Sequence, residues 1–206
     1  MYSRHIKRII DCTVASIALI ILAVPLLIVT VLIKLDSKGP ALFTQSRYGK
    51  DKKPFTIYKF RSMATNAPSN RATSEFTDSH AYITDLGGVL RKLSIDELPQ
   101  LINVVKGDMS LVGPRPLLEE DVIELRDEYG ANSVRPGITG WAQANGRDMI
   151  SNNAKARMDG EYANNISLRM DIKCILLTIK AVIYAQGHAE GHEQEQLQSN
   201  DAVVEG

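Results

Sequence analysis

The chain has 206 residues, enough for one domain with a buried core and an appendage at either end. Its 24 basic and 24 acidic residues balance, but five of the acids lie in residues 187–206, which contain no Lys or Arg. Residues 1–186 therefore carry more basic than acidic residues, a charge that suits phosphorylated ligands and anionic lipids without selecting either. Cys12 and Cys174 are expected to be small buried hydrophobes, and the four histidines do not cluster, which disfavours a disulfide scaffold, a zinc enzyme or a Ser-His-Asp hydrolase.

Residues 12–33 form an uncharged apolar segment, the first element in chain order. As a helix it would be about 33 Å long at 1.5 Å per residue, enough to cross the hydrocarbon core of a bilayer. It is too long for the apolar part of a secretory signal and lacks a convincing cleavage site, so we expect it to be retained. The sequence therefore predicts a membrane-bound protein.

The flanks of this segment indicate its topology. Three basic residues precede it and three follow it, namely Arg4, Lys7, Arg8, Lys34, Lys38 and Arg47. Both flanks are thus typical of cytoplasmic sequence. Pro25 removes a backbone donor and clashes with the carbonyl of Ile21, which favours a kink. Two topologies fit: a bent helix that enters and leaves one leaflet, and a spanning helix that tolerates its proline.

The rest of the chain predicts a small, mainly helical α+β domain. Alternating apolar residues predict a short hairpin from strands at 41–45 and 55–60, joined by a polar turn at 49–53, and a polar loop at 64–80. Helices are predicted near 83–92, 95–106, 117–129, 152–163 and 168–185. The last either covers the core or lies in the membrane interface. The predicted division is a membrane segment at 1–36, a domain at 37–186 and a disordered acidic tail at 187–206.

Two adjacent carboxylates, Asp96 and Glu97, stand out in the body of the domain. With Ser94 they match a capping box, in which Ser94 caps a helix and Glu97 reaches back to its backbone N–H. Arg91 and Lys92 precede the pair, so it also lies among cations that suit phosphate. Capping a helix and acting at a phosphate are both consistent with this pattern, and they are compatible.

Further candidates for phosphate or nucleotide binding surround the pair in sequence. Arg115 lies between two prolines and presents a planar fork, and Lys59 and Arg61 alternate along a predicted strand, so they would share a face. The glycine-rich stretch at 134–147 holds the sole Trp, and its glycines would let backbone approach a nucleotide near Gln143 or Arg147. For Arg115 the alternative is a surface turn, and for Lys59 and Arg61 it is a solvated strand edge. For the glycine-rich stretch the alternative is a structural loop whose Trp141 packs into the core.

These motifs occur in an order that resembles the bacterial sugar transferases known as monotopic phosphoglycosyl transferases. The resemblance is carried by Tyr58-Lys-Phe-Arg61, Asp96-Glu-Leu-Pro-Gln100, Gly113-Pro-Arg-Pro116 and Pro136-Gly-Ile-Thr-Gly-Trp141. It runs from about Arg4 to Ala185 and departs at Ala144, where the family usually has valine. The chain is similar to the minimal form of the family, without the multi-span N-terminal region of larger members.

The resemblance implies a covalent mechanism. Asp96 would attack the sugar-bearing phosphate of a UDP-sugar and release UMP, with Glu97 assisting, and polyprenol (undecaprenyl) phosphate would then take the sugar phosphate. It also implies Mg²⁺ at Asp96 and a re-entrant helix broken near Pro25. Lys59, Arg61, Arg91, Arg115, Gln143 and Arg147 would bind substrate. Lys7 and Arg8 would hold the acceptor phosphate or anchor to lipid heads.

On this basis we expect an enzyme of the bacterial inner membrane that faces the cytoplasm and starts a surface glycan such as an O-antigen, capsule or exopolysaccharide. Its partners would be the UDP-sugar, polyprenol phosphate and membrane lipids, and no nucleic acid is expected. The sugar, the pathway, a homo-oligomeric state and the role of the acidic tail stay open. The alternatives are direct sugar transfer with release of nucleoside diphosphate, and a membrane-tethered sensor or scaffold that binds donor without turnover.

Overall fold

A computed structural model describes residues 2, 4–67, 79–118, 120–145 and 150–183, and the structural statements below concern these residues. The helices of this part of the chain are α1 (Arg4–Ile21), α2 (Ala23–Asp36), α3 (Asp85–Lys92), α4 (Gln100–Lys106), α5 (Glu120–Glu128), α6 (Trp141–Asn145), α7 (Asn152–Asn164) and α8 (Leu168–Ile183). The strands are β1 (Leu42–Tyr48), β2 (Pro54–Phe60), β3 (Ser110–Val112) and β4 (Gly137–Thr139). The domain is mainly helical, as predicted, and contains two small sheets.

The apolar segment forms α1 and α2, which meet at Leu22 with a bend of 63°. Leu22 N–H still donates to Ala18 O and Leu26 N–H to Leu22 O, each at 2.8 Å. Pro25 has no N–H to donate to the carbonyl of Ile21. The helix therefore breaks between Ile21 and Pro25. The predicted kink is confirmed. No single helix in the described residues is long and apolar enough to cross a membrane, although the bent pair together has the required length and composition.

The hairpin of β1 and β2 is confirmed, with antiparallel register from Leu42 opposite Phe60 to Tyr48 opposite Pro54. A second, parallel pair of β3 and β4 was not predicted. Its close approach needs glycine: a Cβ on Gly113 would lie 2.3 Å from Arg135 O, and one on Gly137 would lie 2.1 Å from Gly113 N. Gly137 and Gly140, two of the glycines expected to let backbone approach a nucleotide, instead lie against the backbone of Gly113.

The predicted helices at 83–92, 117–129, 152–163 and 168–185 correspond to α3, α5, α7 and α8 within the residues described. The prediction of one helix at 95–106 was wrong, because a single 3₁₀ turn (Ile95–Glu97) precedes Pro99 and α4 begins at Gln100. The short helix α6 lies where a loop was expected. Arg147, most of the predicted loop at 64–80 and the predicted tail lie outside the described residues.

Three apolar clusters hold these elements together. In the first, Ala15 of α1 packs with Ile57 of β2 and with Leu101 and Val104 of α4. The second contains Ile33, Ala41, Phe60 and Leu90, which attach the end of α2 to the hairpin and to α3. The third contains Val112, Tyr162 and Cys174, joining β3, α7 and α8. Cys174 is buried as predicted, whereas Cys12 is only partly buried.

A polar network lies beside the third cluster. Lys7 Nζ lies 2.7 Å from Asp171 Oδ2 and 3.4 Å from Asp11 Oδ2. Asp171 also accepts the hydroxyl of Tyr162 at 2.6 Å, and Asp11 accepts that of Ser110 at 2.5 Å. These groups come from α1, β3, α7 and α8, so the network fastens the start of α1 to the core of the domain.

Candidate active site

The carboxylate pair sits on a tight connection between α3 and α4. α3 ends at Lys92, and Ser94 adopts a left-handed conformation with φ of 56°, unusual for a residue other than glycine. The Ser94 side chain makes no capping hydrogen bond, so the capping-box prediction was wrong. Instead the Glu97 carboxylate turns away from the backbone of Ser94 towards two cations. Strained backbone of this kind is often kept at functional sites.

Glu97 joins three segments that are distant in sequence. Its Oε1 accepts a hydrogen bond from Lys59 Nζ of β2 at 2.8 Å and lies 3.4 Å from Arg115 Nη1. Burial alone would raise the pKa of Glu97, but Lys59 and Arg115 lower it below its ordinary range. Glu97 is therefore ionised across the physiological pH range, and it holds both cations at one place.

Asp96 is the more deeply buried carboxyl, with 9% of its surface exposed. Burial raises its pKa to about 6, and the neighbouring Glu97 charge adds to that rise, while Lys59, Arg91 and Arg115 oppose it. The two carboxyls thus titrate apart, with Asp96 losing its proton last. Such separation of neighbouring carboxyl groups is typical of catalytic sites, although structural ion pairs also produce it.

A pocket of about 240 Å³ opens beside Glu97. Its polar lining comes from Lys59, Arg115, Arg47 and Gln100 together with Glu97 itself, and its apolar lining from Ile57, Pro116, Gly137 and Ile138. Three cations around one carboxylate leave this pocket positively charged. A pocket of this charge suits the phosphates of an anionic ligand.

Arg47 and Gln100 were missed as site residues by the sequence reasoning. The hairpin register pairs Arg47 with Phe55 and Phe43 with Lys59, so Arg47 and Lys59 share one face. That register was the signal that could have found Arg47. Gln100, 2% exposed, could have been found as the first residue of a helix that follows the carboxylate pair.

Arg61 lies away from the pair, although the sequence placed it beside Lys59. β2 ends at Phe60, so strand alternation does not extend to Arg61. Its guanidinium donates to the carbonyls of Ser37 and Lys38 at 2.7 and 2.6 Å, where it holds the end of α2. Gly39, with φ of 125°, leaves room for it. The expected phosphate contact is thereby replaced by a contact to a helix end.

Lys7 and Arg8 also have partners within the protein. Lys7 is 8% exposed and pairs with Asp171, a residue too distant in sequence to be anticipated. Arg8 donates to the carbonyls of Val104 and Val105 at the end of α4. Both residues also line a second pocket, and the expectation that they meet lipid heads or the acceptor phosphate stays a prediction.

Of the remaining predicted residues, Arg91 lies at the end of α3, where its charge acts on Asp96. Gln143 belongs to α6 and donates to Ile138 O at 3.1 Å, so it lies behind one wall of the pocket rather than in its lining. Its Oε1 is buried without a partner among the described residues.

The site has the donors that Mg²⁺ uses in phosphate chemistry. Within the described part of the chain, no group of three or more His, Cys, Asp or Glu residues converges on one point. Mg²⁺ needs no such cage, because it is commonly held by one or two carboxylates together with substrate phosphates and water. Asp96 follows this mode in its chemistry: it is a carboxyl next in the chain to the pocket-lining Glu97, although Asp96 itself is not among the lining residues.

Comparison with known proteins places the chain in a family. Residues 2–185 match the model of the bacterial sugar transferases. The chain belongs to the bacterial sugar transferase family. The resemblance inferred from the motifs is thereby confirmed, and the protein is an enzyme of the transferase class.

Three curated relatives illustrate the range of the family. An uncharacterized sugar transferase, EpsL, of Bacillus subtilis is 44% identical over 88% of this chain and 89% of its own. The UDP-N-acetylgalactosamine-undecaprenyl-phosphate N-acetylgalactosaminephosphotransferase of Aeromonas hydrophila is 42% identical over 88% of this chain and 44% of its own. The UDP-glucose:undecaprenyl-phosphate glucose-1-phosphate transferase of Escherichia coli is 39% identical over 86% and 40%.

The chain therefore spans most of one relative but less than half of the other two. Those two names contain different sugars, glucose and N-acetylgalactosamine.

Proposed function

We propose that the enzyme transfers a sugar 1-phosphate from a UDP-sugar to polyprenol (undecaprenyl) phosphate, releases UMP and so starts a surface glycan. The observation that carries the proposal is the buried Asp96 next to Glu97, whose carboxylate holds Lys59 and Arg115 at a cationic pocket. The names of relatives that act on undecaprenyl phosphate support the same reaction.

In the first step, an Asp96 carboxylate oxygen attacks the phosphorus that carries the sugar. The bond from that phosphorus to the oxygen bridging the two phosphates breaks, and the electron pair leaves with UMP. The second step reverses the roles: a phosphate oxygen of the polyprenol attacks the same phosphorus, and the carboxylate leaves. A soluble donor and a lipid acceptor use one site in turn, so ping-pong kinetics are expected.

The cations around Glu97 serve the transferred phosphate. Lys59, Arg115 and Arg47 face the pocket from three different segments, so they can meet phosphate oxygens from several directions. Glu97 keeps Lys59 and Arg115 in place before substrate arrives, which reduces the reorganisation required in the reaction. Asp96 would be the protein ligand of Mg²⁺, which when bound neutralises diphosphate charge.

We further propose that the bent pair α1–α2 is re-entrant and that the domain faces the cytoplasm at the inner membrane. The start of α1 is fastened to the domain by Lys7 and Arg8, and the end of α2 by Arg61 and the buried Ile33. Two ends held by one compact domain lie on one side of a bilayer. Exposed apolar side chains near the bend, such as Ile20 and Leu27, would then contact lipid.

The test uses purified protein in detergent with Mg²⁺ and UDP-sugars labelled in the sugar-linked phosphate. We expect a phospho-sugar adduct on the intact protein and one UMP per adduct, both lost in Asp96→Asn. Asp85→Asn is the matched control, because Asp85 is an exposed aspartate of the neighbouring helix α3 and should leave both signals intact.

Two results would contradict the proposal. Release of UDP after addition of polyprenol phosphate would indicate direct sugar transfer. Binding of a donor with neither nucleotide released, across several UDP-sugars, would indicate a sensor or scaffold.

A further inference from the structure

The Pro114-Arg-Pro116 segment is held through its carbonyl groups. Both prolines lack an N–H, so their amides cannot anchor the segment. Pro114 O accepts Gly137 N–H at 2.9 Å, and Arg115 O accepts Arg126 Nη1 at 2.7 Å. Pro116 O lies 3.4 Å from an Arg47 guanidinium nitrogen. Of these three contacts, the one from Arg126 is made to the backbone carbonyl of Arg115, whose side chain lines the pocket.

Arg126 reaches that carbonyl from the protein interior. It lies on α5 with 5% of its surface exposed, and its Nη2 donates to Asp159 Oδ2 of α7, which is 1% exposed. The next residue, Gly160, lets α7 lie close to the end of α5: a Cβ there would lie 2.4 Å from the Cβ of Tyr129, the residue that follows α5. The ion pair is therefore enclosed between α5 and α7, with one guanidinium nitrogen directed to Arg115.

A buried ion pair is a poor source of stability. Removing two charges from water is unfavourable, and apolar residues of similar volume commonly stabilise a core at least as well. The pair does, however, fix geometry, because the planar guanidinium holds its N–H donors in fixed directions. Here one direction is set by Asp159 and the other points to Arg115 O.

We propose that the Arg126–Asp159 ion pair positions Arg115 for the transferred phosphate. This inference rests on the proposed function. Arg126 and Asp159 touch no reacting atom and are positioning residues. The Arg115 guanidinium lines the pocket and lies 3.4 Å from Glu97, and the position of the Arg115 backbone sets where that guanidinium can reach. A displacement of about 1 Å at a catalytic group can lower a rate on the order of a hundredfold.

Two variants separate positioning from folding. The double replacement Arg126→Met with Asp159→Leu removes the pair without leaving a lone buried charge. Arg126→Lys keeps a cation beside Asp159 but removes the rigid planar fork of donors. Each is made in the natural chain and in an Arg115→Ala chain, with folding checked by thermal denaturation and activity by UMP release.

In the natural chain we expect each variant to lower kcat/KM about 10- to 100-fold, with a melting temperature close to that of the parent. In the Arg115→Ala chain the same changes should alter kcat/KM less than about twofold, because the group they position is gone. Equal losses in both chains would overturn the inference.

A second readout does not depend on turnover. A spin label at Arg115→Cys, with Cys12 and Cys174 replaced, reports order at this position directly. Its spectrum should become more mobile when the ion pair is removed, and an unchanged spectrum would overturn the inference. If the natural chain released no UMP with any donor, the proposed function would fail, and the spin label would still decide whether the pair orders residue 115.

Discussion

Asp96 is a carboxyl whose burial opposes the charge that its proposed role requires. Its pKa is raised to about 6 by burial first and by the Glu97 charge second, against the influence of Lys59 and Arg91. A nucleophile with little hydration reacts readily once ionised, but fewer molecules are ionised at acidic pH. Glu97 stays ionised at acidic pH despite its burial, because Lys59 and Arg115 lower its pKa.

The rate of adduct formation should therefore depend on the ionisation of Asp96. Because only the ionised carboxylate attacks, the single-turnover rate should rise with pH and level off, with an apparent pKa near 6 at low Mg²⁺. Raising the Mg²⁺ concentration should lower that apparent pKa, because a cation bound at Asp96 favours its charged form. Rapid-quench measurement at saturating donor and several Mg²⁺ concentrations tests this, and a rate unchanged from pH 5 to 7 at the lowest Mg²⁺ would contradict it. Asp85→Asn should reproduce the natural profile.

The same carboxyl should lower stability at neutral pH. Its folded pKa is raised, so the folded state binds more protons than the unfolded state between about pH 4 and 6, and stability falls as pH rises through that window. Asp96→Asn removes the buried charge and should stabilise the protein by on the order of 1–3 kcal/mol at pH 7. Denaturation in EDTA measures this, and the gain should shrink below pH 5. A variant less stable than the natural chain at pH 7 would show that the carboxylate is well compensated.

Among the elements, those specified by neighbouring residues were predicted and those specified by distant ones were not. The kink follows from Pro25, and the hairpin follows from the alternation of residues around a polar turn. Glu97 matched a capping box, but its partners lie 38 and 18 residues away, and they outcompeted the cap. The parallel pair of β3 and β4 contains three residues per strand, too few to give a periodic pattern.

The site shows the same division between local and distant information. Resemblance of motifs picked out Asp96, Glu97, Lys59 and Arg115, and the structure brings these four together. Strand alternation and the Tyr58-Lys-Phe-Arg61 motif also suggested Arg61, but neither reveals that a basic side chain is used at the end of a helix. Only the three-dimensional arrangement distinguishes a cation directed at a pocket from one directed at a carbonyl.

The end of α2 should be sensitive to the residue at position 39. A Cβ on Gly39 would lie 2.2 Å from Arg61 Nη1 and 2.6 Å from Thr65 Cγ2, and φ there is 125°. Gly39→Ala should therefore displace Arg61 and destabilise the protein by about 1–3 kcal/mol. Gly88→Ala is the matched control: it lies exposed on α3, its nearest contact would be 3.9 Å away, and alanine there should stabilise by about 0.5–1 kcal/mol. Chemical denaturation of both variants tests this, and equal effects would contradict it.

At the scale of the whole molecule, the bent helix pair is attached at both ends. Near its start, Lys7 pairs with Asp171 of α8, which ties the first helix to the last one described. Near its other end, Arg61 ties α2 to the strand that carries Lys59. If α1 and α2 together spanned the membrane, their two outer ends would lie on opposite sides of it. One of these two attachments to the domain would then have to break.

Both ends of the pair should consequently be accessible from the cytoplasmic side alone. Single cysteines at the exposed positions His5 and Lys38, in a chain with Cys12 and Cys174 replaced, can be labelled with a membrane-impermeant thiol reagent. We expect both to react in inside-out vesicles and neither in intact spheroplasts, because the domain contacts hold the two ends on one side. Labelling of one position from each side would establish a spanning helix and would mean that the attachments of Lys7 or Arg61 are broken in the membrane. Repeating the experiment with Arg61→Met separates the two attachments: if position 38 alone becomes accessible from outside, Arg61 is what returns α2 to the cytoplasmic side.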